Sequence, residues 1–207
     1  RDAGWLTGTA LYGGASLGLI PEVPMTQERK EVFFETVKQA YLSHPKKCLI
    51  IPVSEGVRWY DEKKEQLDVV YASSEVDEYG HPRFGGISGV IASEISRRLG
   101  VEARAQITGY YARAGACRKY DRRLTMTLAD KVADLLLREA YGQMPVLTRV
   151  VPYVELEEFN TASIDMGDVG NKPLPDIYYD LNSFSFTDAY RNFIGTVLRY
   201  PRYTDFE

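Results

Sequence analysis

Arg104, Tyr110 and Arg113 fall within one stretch, V-E-A-R-A-Q-I-T-G-Y-Y-A-R-A-G, running from Val101 to Gly115. Guanidinium groups are planar, permanently charged donors, and two of them bracketing a strand end could hold an anion. Glu102, Arg104, Gln106 and Thr108 alternate with Val101, Ala103, Ala105 and Ile107, which is the period of a strand. That strand runs into Gly109, and α/β proteins commonly hold anionic ligands at a glycine loop past a strand's end. The same spacing also fits an ordinary strand with surface arginines. Glu55 is a second candidate. Cys48–Val53 is a continuous apolar run, as expected of a parallel strand covered on both faces, and Pro52 marks the end of its ladder. Glu55 and Gly56 occupy the loop just beyond. His81, in the rigid loop Gly80–Gly86, could serve as a base or brace the turn.

These residues need a scaffold of alternating strands and helices, and the chain reads that way from end to end. Asp2–Ala10 reads as a helix ending at Gly13-Gly14, and Leu17–Ile20 as a short buried strand closed by Pro21–Pro24. Thr26 caps a helix whose apolar positions Phe33, Val37, Ala40 and Tyr41 follow a helical stripe. Arg58–Glu78, rich in charge and poor in pattern, reads as an exposed acidic excursion without chemistry. Ile87, Val90, Ile91, Ile95 and Leu99 line one face of a helix that stops at Gly100. Leu124, Leu128, Val132 and Leu135 mark a further amphipathic helix, and Met144–Tyr153 a strand. Residues 155–175 read as loops and short elements, and Ser185–Leu198 as a closing helix. The expected architecture is a three-layer α/β fold with a mostly parallel sheet and helices on both faces.

Composition narrows the function classes. The chain has 207 residues, 44% hydrophobic and 26% charged, enough for one large domain or two small ones. A net charge of -4 with no basic run argues against nucleic acid or a membrane surface as partner. No apolar run approaches the roughly 20 residues of a membrane helix. Two cysteines, Cys48 and Cys117, and two histidines in no metal-ligand spacing argue against a zinc site. A reduced, cytoplasmic protein is the simplest expectation.

Several segments together resemble the phosphofructokinase family. Arg1-Asp2-Ala3-Gly4-Trp5 and Ile20-Pro21-Glu22 are similar to the family's segment that opens on Met-Gly-Arg, continues as a small-residue helix and leads to a strand ending in Pro-Glu, with the Met and Gly missing. Ile50–Gly56 resembles the family's strand followed by glutamate, and Gly80–Gly86 a loop found in many members. Ala103-Arg104, then Gly109–Gly115 and Tyr120-Asp121-Arg122, resemble the segment that carries the family's histidine, glutamine and arginine. The match runs to about Leu147. Tyr110 and Ala112 replace that histidine and glutamine, and Gly-Tyr-Tyr-Ala-Arg is more similar to the pyrophosphate-using branch.

The resemblance implies a fold and a function. Residues 1–111 would form most of a sugar-phosphate-binding domain, 112–182 would return to the phosphoryl-donor domain, and 183–207 would cross back as a helix and tail. Arg1, Glu55, Arg104, Tyr110 and Arg113 would bind fructose 6-phosphate, with arginines on the phosphate and Glu55 on a sugar hydroxyl. Tyr110 would replace an imidazole by a neutral hydroxyl that does not titrate near neutral pH. Arg104 would reach a neighbouring subunit's site, which implies a homo-oligomer, dimer or tetramer. Glu22 and Lys46 match positions of an effector pocket, although Lys46-Lys47 also fits a solvated turn. The family's N-terminal half, with the donor loop for ATP or pyrophosphate, the catalytic aspartate and the expected Mg²⁺ ligands, has no counterpart here. No catalytic or metal residue is therefore assigned in this chain. Ser163–Asp168 imitates the aspartate motif, but it lies near the wrong end and follows no strong strand, so Asp165 and Asp168 are rejected as bases. Two readings stand: the C-terminal half of a 6-phosphofructokinase, or a non-catalytic sugar-phosphate-binding or regulatory segment of the same fold.

Overall fold

Local sequence sets the long helices. The Thr26 hydroxyl accepts the Arg29 amide and opens α2 (Gln27–Ser43), as a threonine N-cap should. The computed structural model describes residues 2–10, 14–76, 78, 82–109, 111, 114–148, 161–170 and 172–198. In chain order, α1 (Trp5–Thr9) and α2 precede the strands β1 (Arg58–Asp61), β2 (Gln66–Val69), β3 (Tyr71–Val76) and β4 (Pro82–Phe84). Helices α3 (Ile87–Leu99) and α4 (Lys119–Leu137) follow. The chain then gives β5 (Gln143–Leu147), β6 (Thr161–Asp165), β7 (Tyr179–Asp180), β8 (Ser185–Phe186) and α5 (Asp188–Leu198). Two compact units result: residues 1–108 with 172–192, and residues 109–171 with 193–207. Among the described residues, no helix is long and apolar enough to cross a membrane.

The first unit closes on a fully buried core of Leu19, Ile20, Met25, Phe33, Val37, Val57, Phe184 and Tyr190. Phe33 and Val37 are the stripe expected of α2; Phe34, outside that expectation, is buried as well and stands edge-to-face on Phe33 and Trp59. α3 presents Ile87, Ile91 and Ile95 to the interior, while Val90 is exposed. The helix stops at Gly100, whose φ of 68° is left-handed and whose amide donates to the Ser96 carbonyl.

The ladders differ in detail from the expected ones. Among the described residues they form four two-stranded antiparallel pairs, β1 with β2, β3 with β4, β5 with β6 and β7 with β8. Parallel pairing survives at two bridges, Leu19 with Val53 and Met25 with Trp59. Leu19 donates to the Pro52 carbonyl and accepts from Ser54; Met25 does the same with Arg58 and Tyr60. Leu17–Ile20 and Cys48–Val53 thus meet at one parallel bridge rather than by a continuous ladder, and with Cys48 and Ile50 exposed the expectation of a strand covered on both faces at Cys48–Val53 is corrected. The strand expected at Val101–Thr108 is not formed among the described residues, because strand pairing requires a neighbour that local alternation cannot supply. The segment's described anchor is the Ala103 amide, which donates to Ser96 Oγ.

The expectation of a patternless excursion at Arg58–Glu78 is corrected. Val57 and Trp59 are buried, and β1 pairs with β2 across a charged turn in which Glu65 adopts a φ of 52°. The acidic and basic turn residues masked a hairpin whose strands carry Trp59, Tyr60, Leu67 and Val69. In the second unit, α4 packs against the β5–β6 hairpin and buries Leu135, whereas Val132 remains exposed. β5 matches the start of the expected strand at Met144. β6 is one of the short elements expected between residues 155 and 175, and its partner on β5 supplies the order that its sequence does not advertise.

Candidate functional site

Glu55 stands where an α/β fold would place a ligand group. It follows Ser54, whose amide closes the parallel bridge to Leu19, so its carboxylate lies just past the carboxyl end of the extended segment. The side chain is exposed and takes no hydrogen-bond partner among the described residues. Its orientation therefore depends on the backbone beneath it. Ser54 is 5% exposed, and its hydroxyl meets the Thr7 hydroxyl of α1 at 2.5 Å. Neither residue stood out in the sequence; each is a small hydroxyl residue within an apolar or glycine-rich run, and only the contact reveals the pair.

Helix α1 is held from several sides. Gly8 lies against Tyr190 so closely that a Cβ there would come 2.4 Å from a ring carbon. The Tyr190 hydroxyl donates to the Trp5 carbonyl at 2.6 Å, and the Trp5 indole donates to the Lys172 carbonyl at 2.9 Å. Glu22 completes the clamp. Its Oε1 accepts from the Gly4 amide at 2.9 Å and from the Leu174 amide at 2.6 Å. Its Oε2 is buried with no hydrogen-bond partner among the described residues. A Cβ on Gly4 would approach Ile20 Cγ2 to 2.5 Å and Glu22 Oε2 to 3.2 Å, which explains the glycine. Glu22 thus binds backbone amides within its own unit.

The remaining predicted site residues are scattered. Lys46 is exposed on the turn after α2. Arg104 is exposed and bound to a near neighbour, with its Nη2 2.6 Å and its Nε 2.8 Å from Glu102 Oε1. Arg1, His81, Tyr110 and Arg113 lie outside the described residues. No described hydrogen bond or ion pair joins any two of Glu22, Lys46, Glu55 and Arg104. Asp165 ends β6, so the expectation that it follows no strong strand is corrected; its Oδ1 accepts from Gly167 and caps the short turn Met166–Asp168.

An open cleft of about 950 Å³ in the first unit contains none of these residues. Three of its four cations are matched by carboxylates: Lys30 with Glu62 and the Tyr60 carbonyl, Lys64 with Asp61 and Asp68, and Arg97 with Glu94, while Lys63 contributes only its backbone amide, to Asp61. Among the described residues, no group of three His, Cys, Asp or Glu side chains converges to hold a metal. The described donor set does not fit Mg²⁺.

Comparison with known proteins places this geometry in a family. The chain is 33% identical over 176 residues to the pyrophosphate–fructose 6-phosphate 1-phosphotransferase of Dictyoglomus thermophilum, covering 80% of this chain and 46% of that relative. It is 32% identical over 148 residues to the ATP-dependent 6-phosphofructokinase of Mycobacterium bovis, covering 71% and 40%. The chain therefore spans less than half the length of these curated relatives. The crystal structure of a pyrophosphate-dependent phosphofructokinase from Nitrosospira multiformis superposes with a TM-score of 0.65 at 21% identity, over 96% of this chain and 46% of that one. The fold is accordingly the α/β fold of that enzyme, in part. Residues 1–136, which carry α1, the Thr7–Ser54 contact and Glu55, match the family model described as Phosphofructokinase, and the chain belongs to the phosphofructokinase family.

Proposed function

We propose that this chain is the sugar-phosphate-binding portion of a 6-phosphofructokinase, holding fructose 6-phosphate while its 1-hydroxyl receives a phosphoryl group from pyrophosphate or ATP. The observation that carries the reading is the family match over residues 1–136, with Glu55 just past the carboxyl end of a parallel segment. Glu55 accepts hydrogen bonds from sugar hydroxyls, and Arg1, Arg104 and Arg113 neutralise the phosphate. Tyr110 adds a neutral hydroxyl donor. The relatives support both donors, one being a pyrophosphate–fructose 6-phosphate 1-phosphotransferase and the other an ATP-dependent 6-phosphofructokinase. Phosphoryl transfer depends on positioning and charge neutralisation, and this chain's part is to position the acceptor. The catalytic aspartate, the donor site and the Mg²⁺ ligands belong, in this reading, to family segments without a counterpart here. Residues 1–111 form most of the acceptor domain, 112–182 belong with the donor domain, and 183–207 cross back. The protein is a cytoplasmic homo-oligomer.

The test uses the purified 207-residue chain. After circular dichroism confirms a folded state, fructose 6-phosphate binding is measured by calorimetry, and transfer is assayed with Mg²⁺ and either donor. Binding without turnover is expected, since losing a general base alone costs about 10²–10⁴-fold. Arg113→Ala should weaken binding by roughly ten- to a hundredfold, the value of a charged hydrogen bond. A folded chain that fails to bind the sugar phosphate would remove this reading. Robust turnover would relocate the chemistry into this chain.

A further inference from the structure

We infer that the buried hydroxyl pair of Thr7 and Ser54 is a positioning device that aims Glu55 at the sugar, so that helix α1 sets the acceptor site's specificity for a polyhydroxylated ligand. The inference rests on the proposed binding of fructose 6-phosphate. Glu55 has no side-chain partner of its own among the described residues, so its direction is inherited from Ser54. Ser54 is fixed at three points: its amide donates to the Leu19 carbonyl, its carbonyl accepts from Val57, and its hydroxyl meets Thr7. The first two bonds set the turn, and the third ties that turn to α1. Thr7 is itself 9% exposed and sits on a helix clamped by Tyr190, Lys172 and Glu22.

An apolar pair would fill the same space without any polar group to satisfy. A hydroxyl pair adds direction, because each buried group is satisfied only when the other is in place. Residues separated by 47 positions are thereby held in one register. A carboxylate that must meet sugar hydroxyls within hydrogen-bond range needs this constraint, since small misplacements of a binding group lose most of its contribution.

The experiment is a double-mutant cycle on fructose 6-phosphate affinity, read by calorimetry on the 207-residue chain, with thermal melting in parallel. Thr7→Val and Ser54→Ala each leave a buried hydroxyl unpaired and should lower the melting temperature. The double variant leaves neither hydroxyl and should recover much of it. All three should bind the sugar phosphate about tenfold more weakly, with the double no worse than the singles, the loss of roughly one well-placed hydrogen bond. Glu55→Gln should weaken binding in the wild type by a similar factor but add little in the folded double variant, because the carboxylate is no longer aimed. Thr7→Ser, which keeps the hydroxyl, should bind as the wild type does. Wild-type affinity in the folded double variant, or losses that multiply between Glu55→Gln and the pair, would overturn the inference while leaving the binding reading intact. No binding by the wild type would instead overturn the binding reading and this inference with it.

Discussion

Single side chains in the first unit do more joining than their positions suggest. Glu94 on α3 accepts from Arg97 and from Arg98, and Arg98 also grips Glu31 of α2 with both Nη atoms while lying 4.3 Å over the Phe34 ring. The hydrogen bonds from Arg97 and then Arg98 outweigh partial burial and hold the Glu94 carboxyl near about 2, against an ordinary 4.5. A carboxylate with a depressed folded pKa contributes stability above its unfolded value and loses it as pH falls through the folded one. The stability gap between the wild type and Glu94→Gln should therefore be full at neutral pH and close between about 4.5 and about 2, as denaturant titrations across that range would record. A gap that persists unchanged at the acid end would contradict this coupling. Gly8 offers a second test. Its Cβ would sit 2.4 Å from the Tyr190 ring, and Tyr190 is fully buried, so neither wall can yield freely. Gly8→Ala should destabilise the chain by about 1–3 kcal/mol through overpacking, measured by chemical denaturation. Tyr179 is held in the same way: its hydroxyl donates to the Gly18 carbonyl at 2.6 Å, and burial, then the Asp180 and Glu22 charges, push its ionisation well above the ordinary tyrosine range.

At the scale of elements, helices and strands obtained their order by different routes. α2 and α3 carry their own start and stop signals, Thr26 at one N-terminus and Gly100 at the other helix's end. Gly100 has open space where a Cβ would stand, so Gly100→Ala changes only the backbone preference at a φ of 68°. A left-handed residue with a Cβ costs about 1–2 kcal/mol, and the melting temperature of Gly100→Ala should fall accordingly, whereas Gly100→Asn should lose less. Equal melting of the wild type and the alanine variant would mean that the helix end relaxes without cost. The hairpin β1–β2 lacks such signals in its four-residue charged turn. It forms because Val57 and Trp59 have a core to enter, so its order is borrowed from α2.

For the molecule as a whole, the proposal makes the acceptor site a shared one. Arg104 is exposed and its described partner is Glu102, two residues away, a weak restraint in water. Such a side chain is free to exchange that partner for a phosphate on a neighbouring copy. Fructose 6-phosphate affinity should then rise with protein concentration, in step with a sedimentation mass that grows from 23.4 kDa to a multiple of it. Arg104→Ala should remove the concentration dependence and leave the folded state unchanged. Concentration-independent affinity in the wild type would take Arg104 out of the site.

The sequence by itself determined the local elements and the family. Capping, periodicity and glycine placement act over a few residues, so α2, α3 and α4 were legible. The order of motifs from Arg1 to Tyr120 pointed to phosphofructokinase without any contact being known. Tertiary structure alone decided what each polar group does once the chain closes. Glu22 matched an effector position in sequence, yet it spans 152 positions to hold the Leu174 amide. Thr7 and Ser54 carried no signal at all until folding buried them together. Trp59 lay within a charged stretch and proved part of the core. The physical reason is common to all three: hydrogen-bond partners and burial arise from residues distant in the chain, and a hydroxyl or carboxylate has the same appearance in sequence whether water or a backbone amide satisfies it.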